Sequence, residues 1–265
     1  MLILLSPAKT LDFNTPIPSF VHSAQAPMLL EESEQLIGVL KTYDEAKLSD
    51  LMGLSSKLST LNVSRYQTWT GMGSRPAIYA FKGDVYQGLD AHSMSAEVTE
   101  KAESSLLILS GLYGAVTPLT AIEPHRLEMG TGLKTKRGKN LYEFWGTRVT
   151  EEVNKKITQQ TEPVLVNLAS QEYSRVIQWK SLTTQVITPV FKDEKNGKYK
   201  VISFYAKRAR GLLARHLLES DMTEQNTQRA LVAFTSGGYV YDPTSSTPKA
   251  PLFIRSEASR LHHSN

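Results

Sequence analysis

The 265 residues include no cysteine. That excludes disulfides, thiolate-held zinc, iron–sulfur clusters and a peroxidatic thiol. The histidines (His22, His92, His125, His216, His262 and His263) form no H-E-x-x-H pattern, and only the last two adjoin. That pair reads as a solvated C-terminal tail. No Glu-x-x-His pairing of the di-iron bundle type is present, so iron storage finds no support, and neither a metal nor a cofactor is expected. There is no Walker motif, no G-x-G-x-x-G, no internal repeat and no low-complexity tract. No apolar run approaches the length of a membrane span, so no membrane partner is expected. The apolar start, Met1 to Leu5, has no basic lead and stops at Ser6-Pro7, which argues against a signal peptide and for a cytoplasmic protein.

Apolar residues make up 40% of the chain, enough for an ordinary core at this length. The expectation is one domain over 1–265 with a helical insertion at about 28–72. The formal net charge is +4, and it is unevenly spread. Between Lys192 and Arg215 stand eight basic residues against Asp193 and Glu194, so eight minus two gives that segment +6. A basic patch on an otherwise slightly acidic body points to a polyanionic partner.

Leu2–Leu5, Ala77–Phe81, Leu106–Leu109 and Val164–Leu168 read as strands, with helical spacing over 28–43 and 139–160. Strands separated by helices predict a mixed α/β (α+β) fold, with a mixed central sheet flanked by helices. Val186–Lys192 and Lys198–Tyr205 flank Asn196-Gly197, a dipeptide suited to a tight β-hairpin turn. A helix is predicted from about Tyr205 to Glu219. Lys207, Arg208, Arg210 and Arg215 lie off its apolar face, and the helix contains Gly211, which weakens it by about 1 kcal/mol relative to alanine. A solvated basic face and an anion-binding face fit these residues equally well.

Several predicted strands end in similar chemistry: Ser6-Pro7-Ala8-Lys9, Lys82-Gly83-Asp84, Ser110-Gly111, and Asn167 with Ser170, Glu172 and Tyr173. Ligands of open α/β sheets bind at the carboxyl ends of strands. Lys9, Lys82, Asp84, Arg126, Glu128, Asn167, Ser170 and Glu172 are therefore candidate pocket residues, while catalytic roles stay unassigned. Arg126 and Glu128, two apart on an extended stretch, suit a structural ion pair or a ligand clamp. Lys207 follows a strand end directly and is placed to point into the same pocket. Residues 45–70 have the layout of two short helices around a hairpin at Thr60-Leu61-Asn62, with Tyr66 and Trp69 anchoring the second. From these residues alone, an ordinary helical hairpin packed on the core and a helix-hairpin-helix element both remain open.

Read together, Ser6-Pro7-Ala8-Lys9-Thr10-Leu11-Asp12-Phe13, Ala80-Phe81-Lys82-Gly83-Asp84-Val85-Tyr86, Leu109-Ser110-Gly111-Leu112-Tyr113-Gly114 and His125-Arg126-Leu127-Glu128-Met129-Gly130 resemble the YaaA family, also called DUF328 or UPF0246. Leu141–Gly146, Asn167–Tyr173, Phe191–Lys198 and Ile202–Lys207 extend the resemblance along essentially the whole chain. The resemblance implies protection from hydrogen peroxide, limitation of free iron, a positively charged cleft and a helix-hairpin-helix element. It makes weakly sequence-specific binding of double-stranded DNA the leading expectation, with Thr60, Asn62, Lys192, Lys198, Lys207, Arg208, Arg210 and Arg215 as contacts. The family's first hairpin glycine corresponds to Thr60, a residue that does not favour the left-handed backbone of that turn. The alternative is an enzyme acting on a nucleobase or nucleotide-like ligand in the strand-end pocket.

Overall fold

A computed structural model describes residues 1–21, 24–221 and 226–262; His22 and His263 lie outside the described residues. The fold is mixed α and β. Its main sheet has five strands, ordered Gly114–Val116, Leu106–Ser110, Leu2–Leu5, Val164–Asn167 and Gln185–Ile187. The last four run parallel, and Gly114–Val116 folds back antiparallel. Leu2–Leu5 is the central strand and is wholly buried. A strand covered on both faces has no reason to alternate, which is why these residues read as a continuous apolar run.

A second sheet, ordered Lys198–Lys200, Val190–Lys195, Leu252–Arg255 and Val240–Tyr241, contains both antiparallel and parallel pairs. The chain passes from the first sheet to the second at Thr188-Pro189, because proline cannot donate to a strand ladder. The single strand expected over Val186–Lys192 is therefore two strands in two sheets. Asn196 (φ 54°) and Gly197 (φ 71°) form the expected tight turn, with Lys195 opposite Lys198. The return strand is only Lys198–Lys200, and Tyr205 already belongs to the next helix. Asp193, fully buried, holds this sheet together: Arg255 meets its Oδ1 at 2.6 Å, and the Tyr239 hydroxyl donates to its Oδ2 at 2.8 Å.

The structure corrects two local expectations. Ala77–Ala80 is one helical turn, followed by the two-residue strand Phe81–Lys82. Burial hides the periodicity that separates strand from helix, and its two alanines favour helix. The hairpin expected at Thr60–Asn62 is instead the interior of helix Ser56–Thr68. Thr60 Oγ1 donates to Ser56 O at 3.1 Å and Asn62 Nδ2 to Leu58 O at 2.8 Å, so both side chains bond inside the helix. Asn62 is buried, which removes it from any phosphate-facing surface. The turn joining the two helices lies at Gly53 (φ 61°, ψ 43°), after helix Glu45–Met52, whose Asp44 cap accepts the Lys47 amide at 2.8 Å.

The expected basic helix spans Ser203–Glu219. It crosses helix Asp84–Leu89 so closely that a Cβ on Gly211 would fall 1.9 Å from Val85 O, and one on Gly88 would fall 2.2 Å from Arg208 O. Glycine sits in mid-helix because the two backbones touch there.

Candidate functional site

The parallel strands of the main sheet place Ser6–Lys9 and Ser170–Tyr173 side by side, since Leu2–Leu5 pairs directly with Val164–Asn167. Helix Asp84–Leu89 adds a third wall and the Ser203–Glu219 helix a fourth. Together they enclose a cleft of about 370 Å³, lined among others by Lys9, Lys82, Asp84, Glu172, Lys207 and Arg210. The sequence assigned Lys9, Lys82, Asp84 and Glu172 to a strand-end pocket and Arg210 to a DNA-binding face, with Lys207 on that face but placed to point into the pocket. The structure puts Lys207 and Arg210 into the pocket itself.

The cations of the cleft differ in their partners. Lys9 Nζ stands 3.1 Å from Glu128 Oε1, and Lys82 Nζ stands 3.1 Å from Asp12 Oδ2. Asp12 also accepts amides from Asn14 and Thr15, which hold its carboxyl well below the usual carboxylate range; the contact to Lys82 acts in the same direction. Lys207 and Arg210, one turn apart, have neither a hydrogen bond nor an ion pair among the described residues. Desolvation lowers the pKa of Arg210, yet an arginine stays charged at any working pH. Two acids line the same space. Glu172 Oε1 accepts the Gly130 amide at 3.1 Å, while Asp84 sits in the first turn of its helix.

Ser170 caps the following helical turn, and its amide donates to Ser6 Oγ at 2.8 Å, so it ties two strand ends together. Asn167 is buried, and its Oδ1 accepts the Ala169 amide at 3.1 Å; it shapes the loop and does not line the cleft. Arg126 and Glu128 form the ion pair, at 3.0 Å from Nη2 to Oε1. They border a separate, water-sized cavity of about 20 Å³ that shares Lys9 and Tyr173 with the cleft.

That small cavity contains a residue the sequence reading passed over. His125 is buried, and burial pushes its pKa down to about 4. Its Nδ1 stands 2.8 Å from Glu123 O, so Nδ1–H donates and Nε2 keeps its lone pair. Tyr86 was also missed as a cleft residue, and Tyr173 was named at its strand end but not as a pocket candidate; Tyr86 donates to Ser6 O at 3.1 Å, and burial raises both phenols.

The rest of the expected DNA-binding set is scattered. Arg208 and Lys198 are exposed, and Lys192 is half-buried on the second sheet. Arg215 is occupied: its Nε meets Glu219 Oε1 at 2.6 Å, and Nη1 donates to Asp90 O at 2.8 Å and Ser93 Oγ at 3.0 Å. It pins the long helix to the 90–93 turn, and its donors are not free for a phosphate. No helix among the described residues is long and apolar enough to cross a membrane.

A family profile described as "Peroxide stress protein YaaA" matches residues 1–245. A UPF0246 protein of Marinomonas sp. (strain MWYL1) is 52% identical over 263 residues, covering 98% of each chain. UPF0246 proteins of Shewanella piezotolerans and Shewanella denitrificans are 46% and 47% identical over 261 residues, covering 97% of this chain and 100% and 99% of theirs. The order of the strand-end motifs, the whole-chain match and these identities place the chain in the YaaA family of peroxide stress proteins.

Proposed function

We propose that the protein binds DNA across the mouth of the Lys207–Arg210 cleft and that this binding serves peroxide protection. The observation that supports this most directly is Arg210, a half-buried guanidinium in the cleft wall with no hydrogen bond or ion pair among the described residues. Burying an unpaired charge costs free energy, and an arriving phosphate oxygen recovers it. Lys207 stands beside it, and Arg208 continues the basic surface outside the cleft. The helical hairpin contributes to this reading through its exposed Gly53 turn, not through Thr60 or Asn62. Binding is weakly sequence-specific, because flexible cations on a rim read phosphates and not base edges. DNA damage by peroxide needs iron close to the duplex, so a protein seated there is placed to limit it.

Titration of a labelled duplex at several salt concentrations tests the reading. Each phosphate contact contributes roughly −0.9 to the log–log salt slope. Replacing Lys207 and Arg208 by glutamine lowers affinity and flattens the slope by about 2. A salt-independent affinity sinks the proposal.

One observation favours a second reading. A cleft of about 370 Å³ fits a nucleobase or nucleotide and is far too small for a duplex. An enzyme acting on such a ligand would use Asp84 and Lys82. Under that reading Asp84→Asn abolishes peroxide protection in cells while duplex affinity stays unchanged. If Asp84→Asn cells remain protected, the enzyme reading fails.

A further inference from the structure

The first turn of the long helix carries a second feature that the cleft does not absorb. Phe204 is 54% exposed, and Tyr199 and Val201 just before it are 43% and 57% exposed. Single exposed apolar residues are ordinary. This cluster differs in being interleaved with Lys198, Lys200, Lys207 and Arg208. Lys207 and Arg208 lie three and four positions after Phe204, so they are its neighbours on the helix surface. An apolar protein partner would have to bury those cations against its own apolar surface. A ring beside cations instead matches a ligand with flat aromatic faces and a regularly charged backbone.

The ring of Phe204 is also supported from behind. Its centroid lies 3.9 Å from that of Tyr205. Tyr205 lies under two guanidinium groups, with Arg255 4.9 Å and Arg260 5.2 Å from its ring centre. Arg255 is locked by the buried Asp193 at 2.6 Å, and Arg260 reaches Glu257 at 2.6 Å. The exposed Phe204 ring thus packs, at a tilt of 43°, beside a tyrosine that is itself held against the guanidinium groups of the second sheet. Such a ring loses little freedom when a planar group stacks on it, which is what makes an aromatic residue an efficient contact.

We propose that Phe204 is a stacking platform for an unpaired base of a DNA strand whose phosphates lie on Lys207 and Arg208. The inference rests on the nucleic-acid reading above and refines it. It assigns the protein a preference for DNA with unpaired bases, since a base inside an intact duplex offers no free face. Because Lys207 also lines the cleft, a strand held on Phe204 runs directly to the cleft mouth.

The test compares Phe204→Ala, Phe204→Leu and Phe204→Trp with the parent protein. The probes are a fluorescein-labelled oligothymidine strand and a fully paired duplex, each titrated at fixed salt. Phe204 is surface-exposed, so all three variants fold, and thermal melts confirm this. Base–aromatic stacking of the usual strength predicts at least about a fivefold loss of single-strand affinity in the alanine variant. Leucine, which keeps the apolar bulk without the π face, shows a similar loss, and tryptophan restores binding. Duplex affinity stays within about twofold, and the salt slope on duplex is unchanged, because the cations remain. A 2-aminopurine in the strand shows quenching with the parent and the tryptophan variant only. Equal loss on both probes, or no loss on either, overturns the platform while leaving duplex binding by the cations standing. Loss of self-association in place of single-strand binding assigns Phe204 to a contact between copies and also overturns it. Failure of the parent to bind either probe overturns both this inference and the reading it rests on.

Discussion

Gly211→Ala puts a methyl group where two helix backbones meet. In an ordinary helix interior this change is stabilising by about 1 kcal/mol, because alanine is the better helix former. Here the new Cβ would fall 1.9 Å from Val85 O and 2.7 Å from Leu89 N, against an ordinary contact beginning at 3.4 Å. The shortfall to Val85 O, 3.4 minus 1.9, is 1.5 Å. Neither atom is the end of a flexible side chain, so the helices themselves must separate. Overpacking of this kind costs about 1–3 kcal/mol and here falls at the upper end, which outweighs the propensity gain. The net expectation is a loss of about 1–2 kcal/mol, or roughly 2–8 °C in Tm at about 2–4 °C per kcal/mol for a chain of this size. Gly38→Ala in helix Leu30–Leu40 is the matched control, since nothing lies within 4 Å of its would-be Cβ. That variant gains about 0.5–1 kcal/mol. Urea unfolding followed by circular dichroism, with thermal melts alongside, reads both. If Gly211→Ala is as stable as the parent, or if the two variants shift in the same direction, the close-crossing argument is wrong.

Two further outcomes follow from buried charge. His125 has a folded-state pKa of about 4 against 6.5 for the free side chain, so the unfolded chain binds the extra proton first. Stability is therefore unaffected by this group above about pH 6.5 and falls by about 3 kcal/mol as pH drops toward 4; His125→Asn flattens that part of a pH-dependent urea titration. Asp193→Ala strands Arg255 in the second sheet and costs about 3–5 kcal/mol, while the double replacement Asp193→Leu with Arg255→Met recovers most of it, as measured by chemical denaturation.

The parts of the fold legible in the sequence were those set by local chemistry. Leu2–Leu5 announced a central strand by being apolar throughout, and Asn196-Gly197 announced its turn by tolerating positive φ at both positions. The helix from Ser203 to Glu219 showed in its apolar face despite Gly211. What could not be read was decided by partners far along the chain. Helix Asp84–Leu89, which explains Gly211, lies more than a hundred residues away, and Leu252–Arg255 pairs with Val190–Lys195 in a register 62 residues apart. Ala77–Ala80 differs from its expected strand because burial on all sides leaves no periodicity to separate strand from helix, and Thr60–Asn62 differs from its expected turn because polar residues fit a turn or a helix until packing chooses. The site was legible as two lists of residues joined only at Lys207, and the folded arrangement brought Arg210 across as well. Lys207 and Arg210 joined the pocket, while Arg215, equally basic and on the same helix, turned out to be a clasp.

The position of Leu2–Leu5 has a consequence for how the protein is made. Leu2–Leu5, the middle of the main sheet, leaves the ribosome before either of its neighbours. Its neighbours, Leu106–Ser110 and Val164–Asn167, are synthesised long afterwards. Until then a wholly apolar strand has two unpaired edges, a condition that invites association with other nascent chains and with holdases. The basic wall of the cleft arrives later still, at Lys207 and Arg210. Completion of the main sheet therefore precedes acquisition of Lys207 and Arg210, and a product truncated before that helix has Lys9 and Lys82 without the basic helical wall of the cleft.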